Sequence, residues 1–142
     1  MSENRLEVHN ELIAKILNRL IKNGLARIEM SSEEFLPDFA GRGIDDEDFD
    51  DHFADVLTWL QAEGFIRFEA MYGGTDGETC VSSCCLTGQA LAVLDQKVEA
   101  LGGITAKEAF LASEKPGSPA ANYVKAGSLL GGIMGGFTKA IS

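Results

Sequence analysis

Two stretches of this chain repeat apolar residues at helical spacing, and a glycine closes each. From Arg5 to Asn23 the apolar positions are Leu6, Leu12, Ile13, Ile16, Leu17, Leu20 and Ile21, with Lys15, Arg19 and Lys22 off the stripe. In the second stretch, which ends at Glu63, they are Phe49, Phe53, Val56, Leu57 and Leu60. A helix with one apolar stripe removes that surface from water only by packing against something else. Gly24 and Gly64 follow the two stripes, where a left-handed cap suits a residue without Cβ. Asp45 is the expected N-cap of the second helix. Asp46, Glu47 and Asp48 fill its first turn, where the helix dipole favours negative charge.

Elsewhere the periodicity changes. Leu25 to Met30 alternates apolar and polar residues and reads as a short strand. Ser31 with Glu34 offers a capping box for a short helix that Pro37 limits or deforms. Gly41-Arg42-Gly43 is a loop. Phe65 to Tyr72 and Glu78 to Leu86 read as strands joined at Gly73-Gly74-Thr75-Asp76-Gly77, so the spacing predicts an antiparallel hairpin. Thr87 caps a third helix, expected over Gly88 to Leu101 with Leu91, Leu94, Val98 and Leu101 inward. Gly102-Gly103 breaks the chain. Thr105 and Glu108 form another capping box, for a short helix to about Ser113, and Ser118-Pro119 opens a last helix.

Helix, strand, helix, helix, hairpin, helix is the order of a winged helix-turn-helix domain. The segment Leu60-Gln61-Ala62-Glu63-Gly64-Phe65-Ile66, a hairpin, and then Leu86-Thr87-Gly88-Gln89-Ala90-Leu91 resembles the MarR and PadR families of winged-helix regulators over roughly residues 57–94. In those families a recognition helix ends at a glycine, a wing follows, and Leu-Thr-x-x-Gly opens the next helix; Ala90 stands at that last glycine. The resemblance implies a fold that is mainly α with a small antiparallel β-hairpin. A winged-helix-like domain would span 1–101, a linker with a short helix 102–119, and a glycine-rich C-terminal helix 120–142.

Charge argues against the usual use of that fold. The 142-residue chain carries a net charge of −10. Between Glu33 and Glu63 there are eleven acids and one base, Arg42. Asp45, Asp46, Glu47, Asp48, Asp50, Asp51 and Asp55 form the expected acidic surface of the second helix. The DNA-binding relatives usually carry Asp-x-Arg in the wing, whereas this chain has Asp76-Gly77-Glu78. Duplex binding rests on neutralising phosphates with Lys and Arg, so nucleic acid is not an expected partner.

The remaining chemistry is sparse. A calcium loop begun at Asp46 would need glycine at its sixth position and glutamate at its twelfth, where Asp51 and Leu57 stand. Cys80, Cys84 and Cys85, even with His9 and His52 as helpers, lack the paired spacing of a structural zinc site. Simple alternation places Cys80 and Cys84 on one strand face and Cys85 on the other, and small buried hydrophobes are the better reading. His52 has Asp48 and Asp55 as expected partners, which would raise its pKa. No nucleophile elbow, phosphate loop or dinucleotide fingerprint is present. No catalytic residue, cofactor or metal is therefore expected. Met1 to Asn10 has no apolar core of a secretory signal, so free thiols in a cytoplasmic protein are expected. Trp59, one position off its stripe, is expected half-buried or as an interface anchor.

The C-terminal stretch repeats small residues: Gly127, Gly131 and Gly135 at every fourth position, and Ser128, Gly132 and Gly136 beside them. Leu130, Met134, Phe137 and Ile141 form an adjacent apolar strip. Five glycines cost a helix roughly 4–5 kcal/mol relative to alanine, so close packing must compensate. Lys125 and Lys139 enclose too few residues for a membrane span. A homo-oligomer contact, docking on another protein or on the domain itself, or peripheral membrane contact would each serve. The expected function is a non-catalytic regulatory or protein-interaction module that self-associates. A DNA-binding transcriptional regulator, and a membrane-associating protein acting through the tail, are the alternatives.

Overall fold

The computed structural model describes residues 5–95, together with Thr105 and Glu108. Residues 5–95 form three α-helices and a small four-stranded antiparallel sheet. Helix α1 is Arg5–Asn23, β1 is Ile28–Ser31, α2 is Asp46–Ala62, β2 is Ile66–Arg67, β3 is Ala70–Gly73, β4 is Thr79–Leu86 and α3 is Gly88–Leu94. Two 3-10 turns, Ser32–Glu34 and Leu36–Phe39, replace the short helix expected after β1. Pro37 lies within the second turn, where its ring cannot donate to an α-helical ladder. The N–H of Ser31 donates to the Glu34 carboxylate at 2.8 Å, so the glutamate half of the capping box forms.

The expected hairpin is present and is part of a larger sheet. Both β2 and β3 pair antiparallel with β4, and β1 adds to the other edge of β4. The strand expected over Phe65 to Tyr72 is interrupted at Phe68 and Glu69. The β1–β4 register slips between Ile28, opposite Cys84, and Met30, opposite Val81. Two steps on β1 face three on β4, so β4 carries a bulge at Ser82-Ser83. Ser83 takes a left-handed φ of 52°, a conformation that costs a non-glycine residue energy. The bulge also corrects the expected alternation. Val81, Cys84 and Leu86 join the core while Cys80 stays half-exposed, so Cys80 and Cys84 lie on opposite faces.

The core fills the space between α1, α2 and the sheet. Phe39, Phe49, Phe53 and Phe65 are fully buried with Leu12, Ile16, Leu17, Leu20, Leu57, Leu60 and Ile66. Tilted ring pairs, Phe39 with Phe49 at 5.0 Å and Phe35 with Phe53 at 5.6 Å, join the turns after β1 to α2. Val8 completes the α1 stripe in place of Leu6, which is exposed. In α3 the inward residues are Ala90, Val93 and Leu94. Leu91, expected inward, lies off that i, i+3, i+4 stripe and is 38% exposed.

Local chemistry closes the elements. At the end of α2 the N–H of Gly64 donates to Gln61 O and that of Phe65 to Leu60 O, with Gly64 at φ 78°. This paired closure needs a left-handed residue, which glycine supplies. Thr87 holds α3 to the same corner: its hydroxyl donates to Gly64 O at 2.6 Å and accepts from Ala90 N at 3.1 Å. Asp45 is the N-cap residue of α2, as expected, but its side chain makes no capping bond. Thr105 and Glu108 form their reciprocal capping box, with Glu108 N donating to Thr105 Oγ1 at 3.1 Å and Thr105 N to Glu108 Oε1 at 3.4 Å. The glycine-rich segment 120–142, with Gly127, Leu130, Gly131, Met134, Gly135, Phe137 and Ile141, lies outside the described residues, as does the remainder of the expected third helix. Among the described residues no helix is long and apolar enough to cross a membrane.

Candidate functional site

The outward side of α2 is the most strongly charged element surface in the described chain. Phe49, Phe53, Val56, Leu57 and Leu60 turn into the core, which forces the intervening acids outward. Asp45, Asp46, Glu47, Asp48, Asp51 and Asp55 are exposed. Asp48, Asp51, Asp55 and Trp59 follow one another at steps of three and four residues and so share one face. Trp59 is 37% exposed, its indole neither sunk in the core nor fully in water. The helix carries no lysine or arginine.

Asp50 departs from the expected solvated role. It is half-buried and accepts a 2.5 Å hydrogen bond from the hydroxyl of buried Ser32. Ser32 Oγ in turn accepts from Thr79 N, and Thr79 Oγ1 donates to Asp50 O. One acid of the run thus ties α2 to the turn after β1 and to the start of β4. No residue spacing announces this contact, because its three partners are far apart in sequence.

The hairpin tip adds to the negative field. Gly77 N donates to Gly74 O at 3.1 Å and Gly77 takes φ 84°, which closes the turn. Glu78 folds its carboxylate back to accept from Asp76 N at 3.0 Å. Glu33 approaches the same corner, and its carboxyl is pushed above the usual range, foremost by Glu78 and also by Asp76 and Asp50. Glu33, Asp76 and Glu78 therefore form an acidic corner at the tip.

Where α1 crosses α2, the structure brings together two histidines that lie 43 residues apart. His9 Nε2 and His52 Nδ1 are 3.0 Å apart, and the rings meet edge to face at 4.9 Å. His52 is buried and His9 half-buried. The raised pKa expected for His52 beside an acid is corrected: both histidines lie below their ordinary value of 6.5. Burial is the largest cause for each. For His9 the neighbouring His52 comes next, and for His52 the Arg5 cation does. Asp55 opposes both shifts, and Asp48 and Asp51 oppose that of His52. An Asp55 carboxylate oxygen lies within 4.8 Å of a ring nitrogen of each histidine. The sequence holds a faint sign of this pair, since His9 and His52 each adjoin a buried stripe residue, Val8 and Phe53.

The Cys80 and Cys84 thiols are held protonated. Burial pushes Cys84 up to about 12, and the neighbouring Cys85 adds to it. Burial and then Glu78 raise Cys80, whose Sγ lies 3.8 Å from the Glu78 carboxylate. A thiolate is the reactive and metal-binding form, so these environments suit small hydrophobes. On the outer side of the sheet a shallow hollow is lined by Glu29, Met30, Ser31, Glu34, Tyr72 and Cys80.

No family model, no curated protein and no solved structure matches this chain.

Proposed function

We propose that this chain is a non-catalytic regulatory or protein-interaction module on a winged-helix scaffold, and that it self-associates. The order of elements supports the scaffold: helix, strand, turns, helix, hairpin, helix, with β1 beside β4. In that reading α2 takes the place of the recognition helix and the Gly74–Glu78 turn the place of the wing.

One observation carries the functional reading. The outward face of α2 presents Asp48, Asp51 and Asp55 with a half-exposed Trp59, and the helix itself carries no lysine or arginine. The acidic hairpin tip extends the same field. Such a surface repels phosphate and attracts a cationic partner. An exposed indole beside charge is a common anchor of protein contacts. Self-association rests on the small-residue repeat from Gly127 to Gly136 and on Leu130, Met134, Phe137 and Ile141.

Sedimentation equilibrium of the full chain, with and without an arginine-rich peptide, tests the reading. The expected results are a mass above that of one chain and binding of the peptide that weakens in Trp59→Ala and in the triple variant Asp48→Asn, Asp51→Asn, Asp55→Asn. A strict monomer with no affinity for cationic peptide would overturn it.

A further inference from the structure

We propose that His9, His52 and Asp55 bind one transition-metal dication, zinc being the fitting occupant, across the contact between α1 and α2. The inference goes beyond the interaction module and does not depend on it.

The geometry is close to a metal site as it stands. His9 Nε2 and His52 Nδ1 are 3.0 Å apart, and one ring nitrogen of each histidine lies with an Asp55 carboxylate oxygen within 4.8 Å of one another. Zinc holds imidazole nitrogens at about 2.0–2.1 Å, so two of them at a tetrahedral angle are about 3.3 Å apart. Separating the pair by about 0.3 Å would admit the ion. His52 and Asp55 are three residues apart on α2 and share one side of it. His9 reaches them from α1 because Val8, Phe49, Phe53 and Val56 pack the two helices together.

The donors also suit the ion chemically. Imidazole coordinates as the neutral base. In the neutral pair one ring donates its proton to the other across 3.0 Å. A metal between the rings takes both lone pairs once that proton moves to the far nitrogen of its own ring. No net proton is released. Two imidazoles and a carboxylate suit zinc and its neighbours better than calcium or magnesium, which favour oxygen alone. His52 is buried, His9 half-buried and Asp55 exposed, so the fourth position faces outward to water, as in accessible zinc sites. Asp48, Asp51 and Asp55 face the cluster from α2, and Arg5 faces it from α1. The three acids outweigh the one cation.

Isothermal calorimetry of the full chain with zinc alone, under a non-thiol reductant, tests the site. One zinc per chain is expected, with a melting temperature that rises on adding zinc and falls on adding a chelator. His9→Gln and Asp55→Asn should each weaken binding by at least about tenfold. Both positions reach solvent, so these variants stay readable even where the buried His52→Gln fails to fold. Cobalt substituted for zinc should show ligand-field absorption without a thiolate charge-transfer band. No heat of binding, binding unchanged in both variants, or a thiolate band that assigns the metal to Cys80, Cys84 or Cys85 would each overturn the proposal.

Discussion

Ser83 shows how one residue can redirect a strand. Its left-handed φ lets β4 hold Val81 and Cys84 in the core although they are three residues apart. Strict alternation in the sequence could not reveal this, because Ser82-Ser83 carries no mark of a bulge. Its hydroxyl donates to Glu69 at 3.2 Å, across from the break in the opposite strand. Ser83→Val should destabilise the fold by about 1–3 kcal/mol, whereas Ser83→Gly should be close to neutral; urea denaturation compares them. Glu11 is a second residue with a role hidden from sequence. It sits on the buried side of α1 at 1% exposure, and Arg42 binds it with two hydrogen bonds of 3.0 and 3.1 Å. The same guanidinium lies 4.7 Å from the centre of the Phe39 ring. Removing Arg42 leaves the buried carboxylate only Lys15, 4.0 Å away, so Arg42→Ala should cost up to about 3 kcal/mol, read as a lower urea midpoint at unchanged slope. The sole base in the acidic stretch thus anchors the loop after the second turn onto α1.

At the scale of elements, the sequence is most legible where periodicity and caps agree. The bounds of α1 match the expected ones, and α2 ends at the glycine that the sequence marks, because an apolar stripe and a terminal glycine state the same thing twice. The hairpin was legible for the same reason. The segment after β1 was not, since a capping box followed closely by proline leaves room for turns but not for a helix. The contact between α1 and α2 was also hidden, as periodicity says which face is buried and not which element covers it. That contact has a pH consequence. Both histidines have folded-state values below the ordinary 6.5. As pH falls below 6.5, the unfolded chain takes up protons before the folded one does. The stability held by the neutral pair is therefore complete above the unfolded value and is lost as pH falls through it toward the folded values. In metal-free protein the urea midpoint should drop between about pH 7.5 and pH 5.5, and His9→Gln should flatten that drop. Equal slopes in both proteins would show that other groups control this range.

For the whole molecule, charge decides more than fold does. In the winged-helix reading proposed above, the same arrangement with lysines and arginines on α2 would suit a DNA groove. Here α2 carries none, and the hairpin tip carries Asp76 and Glu78. The acidic run was legible in the sequence. The role of Asp50 as an internal tie was not, because it depends on Ser32 and Thr79 arriving from other elements. The C-terminal strip adds a prediction at this scale. If the strip packs helix against helix as proposed, Gly131→Leu should lower the melting temperature or the oligomeric mass, while Ser142→Leu should change neither. The acidic face is proposed as the dock of a cationic partner and not of nucleic acid. Fluorescence anisotropy of a labelled random duplex titrated with full-length protein separates the two. At physiological salt no appreciable binding is expected, since no counterions are released where no phosphates are neutralised. Sub-micromolar binding that weakens steeply as salt rises would contradict it.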